Sequence, residues 1–212
     1  MKIAIIGASG YVGSALLNEA LARGHSVTAL VSNPDKLATH EGLSVVKADA
    51  LNTESLSASL RGHEAVISAF SGHAHSDVLS YYLNGFQSIV AATKQAAVPR
   101  LLMVGGAGSL LVAPGLQLVD TPQFPAQWKA TAEGARQALR LLQDEIALDW
   151  TMLSPSAHLE PGARSAKFRL GGDQLLADAK GESRISLADY ALAMIDELER
   201  PAHRRQRFTV GY

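Results

Sequence analysis

Within its first residues the chain runs from an apolar stretch, KIAII, into GASGYVG, and from there into a long, sided segment, SALLNEALARG. Glycines at 7, 10 and 13 in that setting restrict the fold more than any other feature. A strand that turns on glycine and re-enters as a helix opens a βαβ unit, and the free amides at the helix start make a seat for phosphate. The first glycine permits the tight turn, the middle one admits backbone amides to a pyrophosphate, and the last lets helix and strand approach closely. Gly7, Ser9, Gly10, Tyr11, Val12 and Gly13 are therefore the expected cradle of a dinucleotide pyrophosphate.

The same rhythm repeats downstream. It predicts strands over Lys2–Ile6, Ser26–Val31, Leu43–Lys47, Ala65–Phe70, Arg100–Val104 and Trp150–Leu153. Between them it predicts helices over Tyr11–Arg23, Asn33–His40, Thr53–Leu60, Asp77–Ala97 and Ala126–Glu145. Alternation of this kind is the signature of an α/β fold, a Rossmann-like doubly wound parallel sheet, and runs such as IAII and AVISAF suit strands buried on both faces. Beyond Pro155 the rhythm changes. Two short strand-like runs flank Gly171-Gly172-Asp173 as a hairpin turn, a helix over Leu187–Leu198 starts behind Ser186 and Asp189 as a variant capping box, and QRFTVGY ends strand-like. No repeat or linker interrupts the chain, so one domain is expected over residues 1–212, with 155–212 as a small C-terminal cap on it.

The remaining ligand contacts are expected where strands end. Ser32, Asn33 and Lys36 follow the second strand, where a ribose and any 2′-phosphate would lie, and Asn33 is equally suited to capping a short helix. Asp49 and Ala50 follow the third strand on the adenine side, Ala69, Phe70, Ser71 and Gly72 follow the fourth along the cofactor path, and Pro155 follows the sixth. Lys and Arg number 19 against 20 Asp and Glu, for a formal charge of −1, so no nucleic-acid footprint is present, and His203-Arg204-Arg205 with Arg207 reads as a solvated turn. The absence of cysteine removes disulfides and a thiol nucleophile and is compatible with a reducing compartment. Leu101–Val119 carries no charge, but its glycines and Pro114 break any spanning helix, so no membrane contact is expected. The chain enters a strand at once, leaving no room for a signal peptide, and a cytoplasmic location is expected. His73 and His75 lie near Asp77 but lack a third ligand, so no metal is expected.

Together, IIGASGYVGSALLNEALARGHSVTALV, KADALN, AVISAFSG, RLLMVGGAGSL, DTPQFP, LDWTMLSPS, RLGGDQLL and RISLADYALAMIDELE resemble the atypical short-chain dehydrogenases with NAD(P)H-binding Rossmann domains. Within that group the likeness is to the bacterial NADH-flavin reductases, and more distantly to the flavin reductase that also acts as biliverdin-IXβ reductase. The resemblance runs from end to end and implies hydride transfer from a nicotinamide to a flavin, quinone or similar planar small-molecule acceptor. It also implies catalytic positions at Ser109, near the nicotinamide, and at His158, which would orient the acceptor or donate a proton. No tyrosine is followed four positions on by lysine, so the tyrosine-acid chemistry of typical short-chain dehydrogenases is not expected. Ser32 stands where many relatives carry Arg. With no acid there to repel a 2′-phosphate, a weak preference for NADP(H) over NAD(H) is expected, with a flavin as one candidate substrate. His73 and His75 would border the nicotinamide pocket, and Phe124, Trp128 and Phe168 are candidates to stack on the acceptor. A monomer or homodimer is expected. The alternative reading is an NmrA-like redox sensor, which holds the dinucleotide without turnover.

Overall fold

In the computed structural model, which describes residues 1–73 and 75–212, the short apolar runs become strands of one eight-stranded sheet. Its parallel strands are β1 (Lys2–Ile6), β2 (Ser26–Val31), β3 (Leu43–Lys47), β4 (Ala65–Ser68) and β5 (Arg100–Val104). A two-stranded hairpin of β6 (Leu111–Ala113) and β7 (Leu116–Gln117) follows, and then β8 (Asp149–Ser154) returns to the sheet. Four short strands complete the chain: β9 (His158–Glu160), β10 (Arg169–Gly171), β11 (Arg184–Ser186) and β12 (Gln206–Gly211). The order across the sheet is β10-β12-β8-β5-β4-β1-β2-β3, parallel except for β10, which runs antiparallel to β12.

Helices cover both faces, as a sheet of continuously apolar strands requires. On one face α1 (Tyr11–Ala22) and α5 (Leu187–Glu199) bury Leu16, Leu17, Tyr190 and Ile195. On the other, α2 (Thr53–Leu60), α3 (Val78–Gln95) and α4 (Lys129–Gln143) bury Leu56, Phe86, Ile89 and Leu142. Side-chain caps set three of these starts: Asn52 accepts from the Ser55 amide, Asp77 from Ser80 and Ser186 from Asp189, each within 3.1 Å. No helix among the described residues is long and apolar enough to cross a membrane.

Four expectations are corrected. The helix expected over Asn33–His40 is a single 3-10 turn, Pro34–Lys36, because NPDKLATH has no apolar stripe to bury and Asn33 spends its side chain on the Asp35 amide. The fourth strand stops at Ser68, and Ala69 and Phe70 already belong to the turn. The hairpin about Gly171-Gly172-Asp173 does not form. Its first arm, β10, pairs with β12, whose backbone edge would otherwise stand open; β11 instead pairs in parallel with the distant β9. The basic turn is not uniformly solvated either. His203 stacks on Phe208 with centroids 4.2 Å apart, Arg204 pairs with Asp149, and the Arg207 side chain is only 5% exposed. The segment after Pro155 thus adds β10 and β12 to the central sheet and α5 to one of its faces, and only β9 and β11 form a small sheet of their own.

Candidate functional site

Parallel strands bring their C-terminal ends to one edge, and the order reverses between β1 and β4, where ligands of doubly wound sheets sit. At that point Gly7 turns with φ +77°, its amide held by the Leu30 carbonyl at 2.9 Å. A Cβ on Gly7 would lie 2.8 Å from the Ala69 carbonyl oxygen, so the turn after β1 and the turn after β4 touch. A Cβ on Gly13 would fall 2.0 Å from the Gly7 carbonyl oxygen, which is how closely α1 approaches the turn. Gly10 is different: it is exposed, and an added Cβ would meet only one atom, 3.2 Å away. Like α4 but unlike α2, α3 and α5, α1 starts with no side-chain cap, and its first turn holds no acid. Its first amides are therefore left for an anion, with the positive end of the helix dipole behind them.

The other expected cofactor contacts follow the ends of β2, β3, β4 and β8, at the same edge. Ser32, Asn33 and Lys36 are exposed there, with Asn33 turned back on its own loop. Asp49 is likewise engaged locally, accepting from the Leu51 amide at 2.9 Å, beside half-buried Ala50. Ser9 is half-buried in the turn, and Val12 packs against the α1-side core. Ser71 is exposed. Gly72 is buried where a Cβ would sit 2.4 Å from the Val78 carbonyl, and Pro155 is buried at the end of β8. The Phe70 ring is lodged against Gly85, between Tyr81 and Tyr82 at 5.5 and 6.1 Å, so it props α3 rather than offering a free stacking face.

Ser109 and His158 are not joined by any hydrogen bond among the described residues. Ser109 is 2% exposed, and its hydroxyl accepts from Arg207 Nη1 at 3.3 Å. His158 is exposed on β9, its amide donating to the Ser183 carbonyl. The next residue, Leu159, offers its carbonyl to the Tyr11 hydroxyl at 3.2 Å, tying the strap of residues 157–167 to the glycine turn. Arg164 grips Glu19 of α1 through two hydrogen bonds, and buried Asp189 accepts from Ser165, Ala166 and Tyr212. Burial alone would raise the Asp189 pKa; these hydrogen bonds outweigh it and hold the carboxyl below its ordinary value. On the far rim Trp128 is half exposed with the His73 ring edge-on at 5.8 Å, and His75 stacks on Tyr81 at 5.1 Å. Burial pushes the Tyr82 hydroxyl up to about 12 and raises that of Tyr190, which donates to the Leu153 carbonyl, so neither is a neutral-pH acid.

Two features lie outside the expectations from sequence: the burial of Arg207 and the Asp189 clamp. Arg207 was legible in one respect: Phe208 and Val210 alternate toward the α5 face, and strand periodicity then turns Arg207 to the other.

The fold and its glycine turn define an NAD(P)H-binding domain of the oxidoreductase, Rossmann-like type. The chain belongs to the NAD(P)H-binding family, which it matches over residues 7–198. It is 40% identical to YwnB, an uncharacterised protein of Bacillus subtilis, over 99% of this chain and 98% of that one. It superposes with a TM-score of 0.94 on an epimerase candidate from Bacteroides thetaiotaomicron, 45% identical, covering 100% of this chain and 96% of the other. With a candidate NADH-flavin reductase from Streptococcus pneumoniae the TM-score is 0.85 and the identity 34%, covering 100% and 99%.

Proposed function

We propose that the protein is a cytoplasmic NAD(P)H-dependent reductase that delivers hydride to a planar acceptor, a flavin or quinone, and that it prefers NADP(H) weakly. The observation that carries this reading is the uncapped start of α1 over the open face of Gly10. A pyrophosphate fits there because the amides have no competing partner and no side chain fills the space. Ser32 and Asn33 would hold the ribose, with Lys36 in reach of a 2′-phosphate and no acid following β2 directly to repel it. The bound dinucleotide supplies the hydride. The chain itself binds, orients and excludes water: Trp128 and His73 would flank the acceptor, and His158 would hand a proton to the reduced ring. The epimerase description of the Bacteroides relative fits less well, because the tyrosine–lysine pair of that chemistry has no counterpart here.

Oxidation of NADPH, followed by stopped flow with a panel of flavins and quinones, tests this reading. Turnover with at least one acceptor is expected. His158→Ala should slow it about 10-fold, within the range of one acid–base group, with dinucleotide affinity unchanged. Tight dinucleotide binding with no turnover on any acceptor would instead make the protein a sensor.

A further inference from the structure

Between α4, the β6–β7 hairpin and strand β12 lies a cavity of about 200 Å3, and no residue of the glycine turn or of the loops after β2, β3 and β4 lines it. Three arginines do: Arg136, Arg140 and Arg207. Cations gathered round so small a space must each be accounted for. Arg136 is committed, to Asp120 at 2.7 Å, to Gln117 at 3.1 Å and to Glu133. Arg207 is half committed. Its Nε and Nη2 donate to one oxygen of Asp173, but its Nη1 finds only the hydroxyls of Ser109 and Ser154, at 3.3 and 3.5 Å. The pairing is also lopsided, since the Arg207 side chain is 5% exposed and that of Asp173 67%. Arg140, exposed one helical turn beyond Arg136, makes no ion pair among the described residues.

A nearly dry guanidinium is thus neutralised by an acid standing in water, its Nη1 held only by two long hydroxyl contacts, and a cation without an ion pair among the described residues, Arg140, lines the same cavity. We propose that this cavity binds a small oxyanion, a carboxylate or phosphate group on a compact molecule, gripped by Arg207 and Arg140 in place of Asp173. The volume is below that of ordinary drug-sized pockets, which limits the occupant to a few heavy atoms beyond the anionic group. Arginine suits the task, because its planar fork meets carboxylate and phosphate oxygens with paired, charge-assisted hydrogen bonds. Asp173 acts as the resident anion, and its exposure lets it swing away at little cost. The site is independent of the dinucleotide reading, yet it reaches the loop after β5: an occupant that draws Nη1 away leaves the Ser109 hydroxyl without its donor.

Titration of the full chain with malonate and, separately, with inorganic phosphate, followed through backbone amide shifts, locates the site. Shifts at Ser109, Arg140 and Arg207 are expected, and the tighter probe identifies the group as carboxylate or phosphate. Asp173→Asn removes the internal competitor and should tighten binding about 10-fold, whereas Arg140→Gln, an exposed change that leaves the fold alone, should weaken it about 10-fold. Shifts confined to the glycine turn, affinity weaker than about 10 mM for both probes, or an Asp173→Asn protein that binds no better would each overturn the proposal.

Discussion

Three glycines in one loop are present for three different reasons. Gly7 needs its positive φ and has the Ala69 carbonyl against it; Gly13 has the Gly7 backbone where a Cβ would go; Gly10, at φ −81°, has only the Gly7 carbonyl oxygen near a Cβ, at 3.2 Å. Gly13→Ala therefore drives a methyl into backbone that cannot yield, and should cost about 3 kcal/mol of stability. Gly10→Val should leave the melting temperature within a few degrees of wild type and weaken dinucleotide binding at least 10-fold, because its side chain takes the pyrophosphate's place. Calorimetry for binding and thermal denaturation for stability separate the two. A Gly10→Val protein that binds like wild type would remove the turn from the site. Their spacing announced all three glycines, but only the positions of Ala69 and Gly7 in the fold reveal which of them backbone packing requires.

At the scale of elements, local chemistry was read well and long-range pairing was not. The Ser186 cap of α5 is visible in four consecutive residues, and the loops at strand ends share an edge in any parallel sheet. Whether β10 chooses its sequence neighbour or β12 depends on an edge that forms only after the last strand arrives, which no window of sequence contains. Ser109 is similar: the donor to its hydroxyl is an arginine 98 residues away. The strap carrying His158 is likewise an element held from a distance, by Asp189. Because hydrogen bonds depress the folded-state pKa of Asp189, its contribution to stability is complete at neutral pH and is lost as pH falls through that lowered value. Asp189→Asn should cost about 3 kcal/mol at pH 7, and the gap from wild type should narrow in acid. Urea denaturation at both ends of that range is the measurement, and an equal gap throughout would show that the carboxylate charge is irrelevant to the clamp.

Across the whole molecule, the edge that holds the candidate ligand site is separate from the edge that holds its densest buried charges. At the N-terminal ends of β5 and β8, Arg100 pairs with Glu197 at 2.8 Å and Asp149 at 3.0 Å, and Glu197 also meets the His203 ring at 2.8 Å. Burial lowers the Arg100 pKa, opposed by the two acids. Glu197→Gln leaves that guanidinium short of countercharge and should cost about 3 kcal/mol, yet dinucleotide affinity should stay within 2-fold in calorimetry; a 10-fold loss would mean that the two edges communicate. The pairing of α1 with α5, reinforced by Arg23 on Asp196 and Glu199, joins the beginning of the chain to its far end. On a ribosome adding about 5–20 residues per second, the Leu16 and Leu17 ridge of α1 emerges roughly ten to thirty seconds before α5 can cover it. Throughout that interval the flank of α1 that α5 will cover stands without its partner helix, and only the early strands β1 and β2 can shelter its apolar side.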